Sequence, residues 1–123
     1  MGLADLSGTR RALRSAAGAR HLEQVRTRLA GTSVVPRRRR RRDPVPPQGA
    51  VVIVFSAFLD EEPARLLRLW HARGHLVAGV DCVPPLHRTE STTAQAQAVR
   101  LTLLRRRLLL DDLRHGGIPC SPG

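Results

Sequence analysis

The chain has 123 residues and a formal net charge of +11, and all 21 of its basic residues are arginines. This length allows one small domain at most. No apolar run reaches the ~20 residues that a membrane-spanning helix needs, and the N-terminus lacks the layout of a signal peptide, so we expect a cytoplasmic chain without membrane insertion.

The N-terminal part predicts a hairpin followed by a helix. Two short segments that we interpret as strands, residues 2–6 and 11–13, flank the small polar turn at residues 7–9. From about Ala19 the apolar side chains recur at helical spacing until a glycine ends the pattern. We assign residues 1–31 to this hairpin and helix.

A segment rich in arginine and proline comes next. Residues 32–48 contain a run of consecutive arginines with prolines on both sides. Like charges repel one another, and proline can join neither a strand ladder nor a helix interior, so we expect an exposed loop or linker. The arginines of this run are Arg37, Arg38, Arg39, Arg40, Arg41 and Arg42.

The clearest pattern in the chain is strand, helix, strand. Residues 50–55 form an unbroken apolar run rich in β-branched side chains, which is typical of a strand buried on both faces. Acidic residues and Pro63 favour a helix start, Gly74 favours its end, and residues 76–80 form a second apolar strand. Such a βαβ unit makes the strands parallel and the crossover right-handed. The predicted fold class is therefore α/β with a partial open sheet.

The C-terminal region, which completes a predicted unit of residues 49–123, indicates a long helix beginning near Thr92. Its apolar side chains spread so widely around the helix that it must pack against another surface. Asp111 and Asp112, shortly before two glycines, predict a second short helix or a late break. Residues 118–120 predict a last edge strand.

Short segments along nearly the whole chain match a known family in their order and spacing. They comprise residues 2–6, 8–9, 11–13, 18, 20–22, 51–56, 58–60, 66–75, 112–114 and 117–119. Together they resemble the C-terminal half of the bacterial domain-of-unknown-function 58 family, whose members carry a von Willebrand factor A-like domain. The resemblance implies a Rossmann-like sheet, a role in protein interaction and neighbours such as MoxR-type AAA+ ATPases.

Three departures from the family indicate a truncated relative without the family's cation site. The family's Asp-x-Ser-x-Ser cation motif is missing, and Ala57 follows Ser56 where the family often has an aspartate. Because hard cations need several converging oxygen ligands, we predict no metal site and no cofactor. The strand that lies centrally in the family's sheet is missing too, so unpaired sheet edges should favour self-association or a protein partner.

Few residues of the chain match the sequence patterns of catalytic or ligand-binding sites. Open α/β sheets bind ligands beyond the carboxyl ends of their strands, where Ser56, Asp60 and Asp81 lie, although a helix cap and two strand ends explain them more simply. The histidines lack metal-ligand spacing, and neither a phosphate loop nor a nucleophile elbow is present. Cys82 and Cys120 lie far apart and predict free thiols. We therefore expect a protein that is not an enzyme.

The arginine run at residues 37–42 is the sharpest functional candidate. Neutralising several phosphates gives salt-sensitive binding of nucleic acid or another polyanion. Sequence-specific binding usually adds aromatic stacking, yet the chain has two Phe, one Trp and no Tyr. Besides protein interaction, two alternatives therefore stay open: an arginine-rich polyanion binder, and a fragment of a longer protein with no function of its own.

Overall fold

The computed structural model describes residues 1–6, 12–32, 43–83 and 92–122. The chain divides into two compact units, Met1–Val45 and Pro46–Gly123. The helices and strands in chain order are α1 (Ala19–Ala30), β1 (Val51–Ser56), α2 (Glu62–Ala72), β2 (Leu76–Asp81), α3 (Thr93–His115) and β3 (Cys120–Pro122).

The described part of the N-terminal unit contains one antiparallel bridge and α1. Leu3 and Leu13 exchange two backbone hydrogen bonds, of 3.1 and 2.9 Å. His21 of α1 is buried, and its Nε2 lies 2.6 Å from the carbonyl oxygen of Met1. Among the described residues the expected hairpin amounts to this single bridge, and its expected turn at residues 7–9 lies outside them.

The second unit is built around three parallel strands in the order β1-β2-β3. β1 and β2 pair from Val51 opposite Leu76 to Ser56 opposite Asp81, with α2 as their connection. Pro63 lies in the first turn of α2, where its missing N–H breaks no helical hydrogen bond. The predicted parallel βαβ unit, and with it the α/β class, is confirmed.

α3 is one continuous helix, so the predicted late break or second helix is wrong. It begins at a capping box formed by Thr92 and Gln95 and runs through both aspartates to His115. The aspartates do not compete with the helical backbone, because their carboxylates pair with arginines: Asp111 with Arg114 at 3.0 Å, and Asp112 with an arginine of α2.

The last strand forms two residues later than predicted. Ile118 is buried in the core and is not part of the ladder. Pro119, which follows it, has no backbone N–H to donate. Its carbonyl oxygen accepts a hydrogen bond from Gly79 N at 2.9 Å. Pairing with β2 begins at Cys120.

The core lies between the sheet and its two helices. α2 contacts β1, β2 and α3, while α3 contacts β3. Gly79 permits the close packing at the centre, since a Cβ there would lie 3.0 Å from both Phe58 Cζ and Cys120 Sγ. The buried apolar residues of this unit are Val54, Phe58, Ala64, Leu66, Leu67, Trp70, Val77, Leu110, Leu113 and Ile118.

The opposite face of the sheet is uncovered within the part of the chain that the structure describes. Four large apolar side chains of this face are exposed, and Val80 is half-buried; the exposed ones are Val51, Ile53, Phe55 and Leu76. The prediction that the first strand is buried on both faces is therefore wrong. Successive right-handed crossovers in a sheet of order β1-β2-β3 place α2 and α3 on the same side.

Candidate functional site at the carboxyl edge of the sheet

Two of the three predicted edge residues are brought together by the sheet. Ser56 and Asp81 are register partners at the ends of β1 and β2. Ser56 Oγ accepts a hydrogen bond from the backbone N–H of Phe58 at 3.0 Å. Phe58 has a φ of 49°, so this bond supports a turn that L-residues rarely adopt.

Asp60 has a local role at the start of α2. Its Oδ1 accepts a hydrogen bond from the backbone N–H of Glu62 at 3.0 Å. Such a bond satisfies one of the unpaired donors in the first helical turn. Asp60 therefore supports the start of α2 from the position before the N-cap, which is Glu61 and makes no side-chain capping bond.

Asp81 accepts hydrogen bonds through both of its carboxylate oxygens. Its Oδ2 accepts a hydrogen bond from Arg106 of α3, and its Oδ1 accepts one from Val83 N at 3.0 Å. Arg106 Nε also donates to the carbonyl oxygen of Ala57 at 2.9 Å. The exposed fractions of the Arg106 and Asp81 side chains are 13% and 19%. The pair therefore ties the middle of α3 to the ends of both neighbouring strands.

The sequence interpretation missed Arg106, which belongs to a run of three arginines. A signal was present, because Arg106 precedes the buried Leu110 and Leu113 by four and seven residues. This spacing places all three side chains on one helical face. The other two arginines of the run, Arg105 and Arg107, are exposed.

The polar side chains at this edge are fixed by hydrogen bonds and by the ion pair of Asp81 with Arg106. A guanidinium stays charged at any physiological pH, and both oxygens of Asp81 already accept hydrogen bonds. Within the described residues, no hydrogen bond joins Ser56 Oγ to a histidine or carboxylate that would take its proton, as nucleophile activation requires.

Two histidines of the second unit, His71 and His115, lie near the C-terminal ends of α2 and α3. His71 and His115 line an open cleft of about 410 Å³ between α2 and the end of α3. Across the same cleft, Arg68 Nη2 lies 2.5 Å from Asp112 Oδ2. Among the described residues no three His, Cys, Asp or Glu side chains are grouped closely enough to hold a metal ion.

The two cysteines are free thiols in different surroundings. Cys82 is exposed, whereas Cys120 is partly buried against the sheet. Burial raises the pKa of the Cys120 thiol, while the nearby Arg114 guanidinium and a hydrogen bond from the Gly79 backbone act in the opposite direction.

The predicted polyanion site, Arg37 to Arg42, lies outside the described residues. Its binding role stays a prediction from sequence.

Comparison with protein-family models, with curated proteins and with solved structures finds no match for this chain. The resemblance to a von Willebrand A-like domain therefore stays a prediction. In the described ranges, no helix combines the length and apolar character that crossing a membrane requires.

Proposed function

We propose that this chain is a non-catalytic interaction module, a partial von Willebrand A-like domain that binds another protein through its open sheet. The observation that carries the proposal is the uncovered face of β1 and β2. The exposed fractions there run from 53% for Ile53 to 72% for Leu76. Parallel sheets are normally covered on both faces, so an apolar face left open is typical of a binding surface.

The free edge of β1 supports the same function. In the described residues β1 pairs only with β2. Cys82 N donates to Ser56 O at 2.9 Å, so the backbone groups of Ser56 point toward β2. Because these groups alternate along a strand, the N–H of Ile53 points away from β2, where an added strand would bind.

Two kinds of strand would pair with the backbone groups of this edge: a strand of a protein partner, or β1 of a second copy of the chain. Either one would complete the ladder and cover apolar side chains at the same time. Within the family that the sequence resembles, a MoxR-type AAA+ ATPase is the partner that the association suggests.

The test replaces Ile53 with proline, which removes the outward N–H and leaves the bonds to β2 in place. The oligomeric state of the wild-type chain is measured by light scattering, and partner binding by titration with a purified MoxR-type ATPase. We expect the wild-type chain to self-associate or to bind the ATPase, and Ile53→Pro to do neither while keeping its circular dichroism spectrum.

A second variant keeps the test decisive if Ile53→Pro does not fold. Phe55→Lys places a charge on the uncovered face without touching the ladder, and it should weaken the same association. A wild-type chain that stays monomeric and leaves the ATPase unbound would contradict the proposal. Association that both folded variants retain would contradict it as well.

A further inference from the structure

α3 carries a second exposed apolar surface, which we call the leucine stripe: Leu101, Leu104 and Leu108. Their exposed fractions run from 50% for Leu101 to 60% for Leu108. Their separations of three and four residues are those of the a and d positions of a heptad. The stripe thus has the geometry of a helix–helix seam about two turns long.

The stripe faces away from the rest of the unit. At about 100° per residue, it lies roughly opposite the helical face that buries Leu110 and Leu113 and directs Arg106 to the sheet edge. α3 is therefore apolar on two opposite sides, of which the described residues cover one. The sequence predicts a broadly apolar helix that packs against another surface, and among the described residues the face with Leu110 and Leu113 does so.

Arginines flank the stripe on both sides. Arg100 and Arg107 lie along one side, and Arg105 lies along the other. All three are exposed, and none has a carboxylate partner among the described residues. By contrast, Arg106 and Arg114 of the same helix each pair with an aspartate. The stripe is thus bordered by uncompensated positive charge.

We propose that the leucine stripe and its flanking arginines bind an amphipathic helix of a protein partner, one with apolar residues at heptad spacing and Asp or Glu beside them. Positions beside a heptad seam face their counterparts on the partner helix and set its identity through charge. Acidic residues there would neutralise the three arginines as the leucines are buried.

The same charges argue against a second copy of the chain. Two copies of α3 packed along their leucine stripes would place arginines against arginines, which is unfavourable in either orientation. The carboxylates at the end of the stripe do not relieve this, since Asp111 and Asp112 already pair with Arg114 and Arg68.

The test uses two synthetic peptides that share a leucine heptad and differ beside it, one with glutamates and one with lysines. Their binding to the full-length chain is followed by fluorescence anisotropy at low salt. We expect the glutamate peptide to bind at least roughly tenfold more tightly than the lysine peptide. The preference should weaken as salt screens the charges.

Three variants locate the binding. Leu104→Gln should weaken the binding of the glutamate peptide by roughly tenfold or more, because the leucine stripe loses its central side chain. The combined change R100E/R105E/R107E should reverse the preference toward the lysine peptide. Leu59→Gln is the matched control, since Leu59 is also an exposed leucine but lies outside α3 and should leave binding unchanged.

Several outcomes would overturn this proposal. They are equal binding of the two peptides, self-association of the chain that Leu104→Gln abolishes, and adsorption to phosphatidylglycerol vesicles in place of peptide binding. The proposal is separable from the function of the sheet, because Ile53→Pro acts on another surface and should leave peptide binding unchanged.

Discussion

At the scale of single residues, two ion pairs of the same chemistry differ in burial. Asp81 and Arg106 are 19% and 13% exposed, whereas Asp112 and Arg68 are 69% and 42% exposed. Removing one partner from a desolvated pair leaves the other charge without compensation, while an exposed charge is simply rehydrated. The two pairs should therefore contribute unequally to stability.

We expect Asp81→Ala to lower the free energy of unfolding by about 3 kcal/mol, because Arg106 would keep its charge but lose its carboxylate. Asp112→Ala, the exposed counterpart, should lower it by less than about 1 kcal/mol. Urea denaturation followed by circular dichroism measures both. Equal losses for the two variants would show that burial does not separate the pairs.

The two thiols should differ in their reactivity with pH. The raised pKa of Cys120 means that it holds less thiolate than an ordinary cysteine at the same pH, and it is also less accessible than Cys82. We expect iodoacetamide to modify Cys82 faster than Cys120 at neutral pH, and the two rates to become similar only at alkaline pH. Peptide mass spectrometry of timed samples measures both rates. Faster labelling of Cys120 at neutral pH would contradict this.

The same shift has a consequence for stability. A thiol whose pKa is higher in the folded state stabilises that state while both forms are protonated, and the contribution is lost as the pH rises through the folded pKa. The Cys120→Ser variant lacks this thiol. Its free energy of unfolding should therefore fall less than that of the wild-type chain as the pH is raised into the alkaline range.

At the scale of elements, the patterns that predicted the fold well were local ones. The β-branched run of β1, the acidic residues and Pro63 of α2, and Gly74 after it depend on neighbours a few residues away. The ion pair of Asp112 in α3 with Arg68 in α2 instead joins residues 44 positions apart. The exposure of one sheet face depends on the strand order, which no local pattern contains.

The candidate site also has one part that the sequence predicted and one part that it did not. Ser56 and Asp81 could be placed at one edge because parallel strands end together. The ion pair at this edge could not be predicted, because Arg106 lies in a helix and is 25 residues further along the chain than Asp81.

The capping box of α3 should control local order more than global stability. Residues 93–102 are exposed throughout, so Thr92 and Gln95 stabilise a helix end that little else supports. We expect Thr92→Ala to cost about 1 kcal/mol within the first turns. Hydrogen exchange should speed up there and stay unchanged around the buried Leu110. Faster exchange throughout α3 would contradict this local role.

At the scale of the whole molecule, the described part of the second unit is a sheet that packs α2 and α3 against the same face. The other side should bind a hydrophobic dye in the native state, because Ile53 and Phe55 are more than half exposed there. We expect anilinonaphthalene sulfonate fluorescence with the folded chain and a marked decrease in the double variant I53K/F55K. Unchanged fluorescence in the folded double variant would contradict this.

The placement of α2 and α3 on the same face has a geometric consequence. The leucine stripe points outward from the helical layer, and the uncovered strands point outward from the opposite side of the sheet. A ligand bound at one of the two proposed surfaces would leave the other accessible. Were both proposed partners to bind, the chain would tether two different proteins and raise the effective concentration of each for the other.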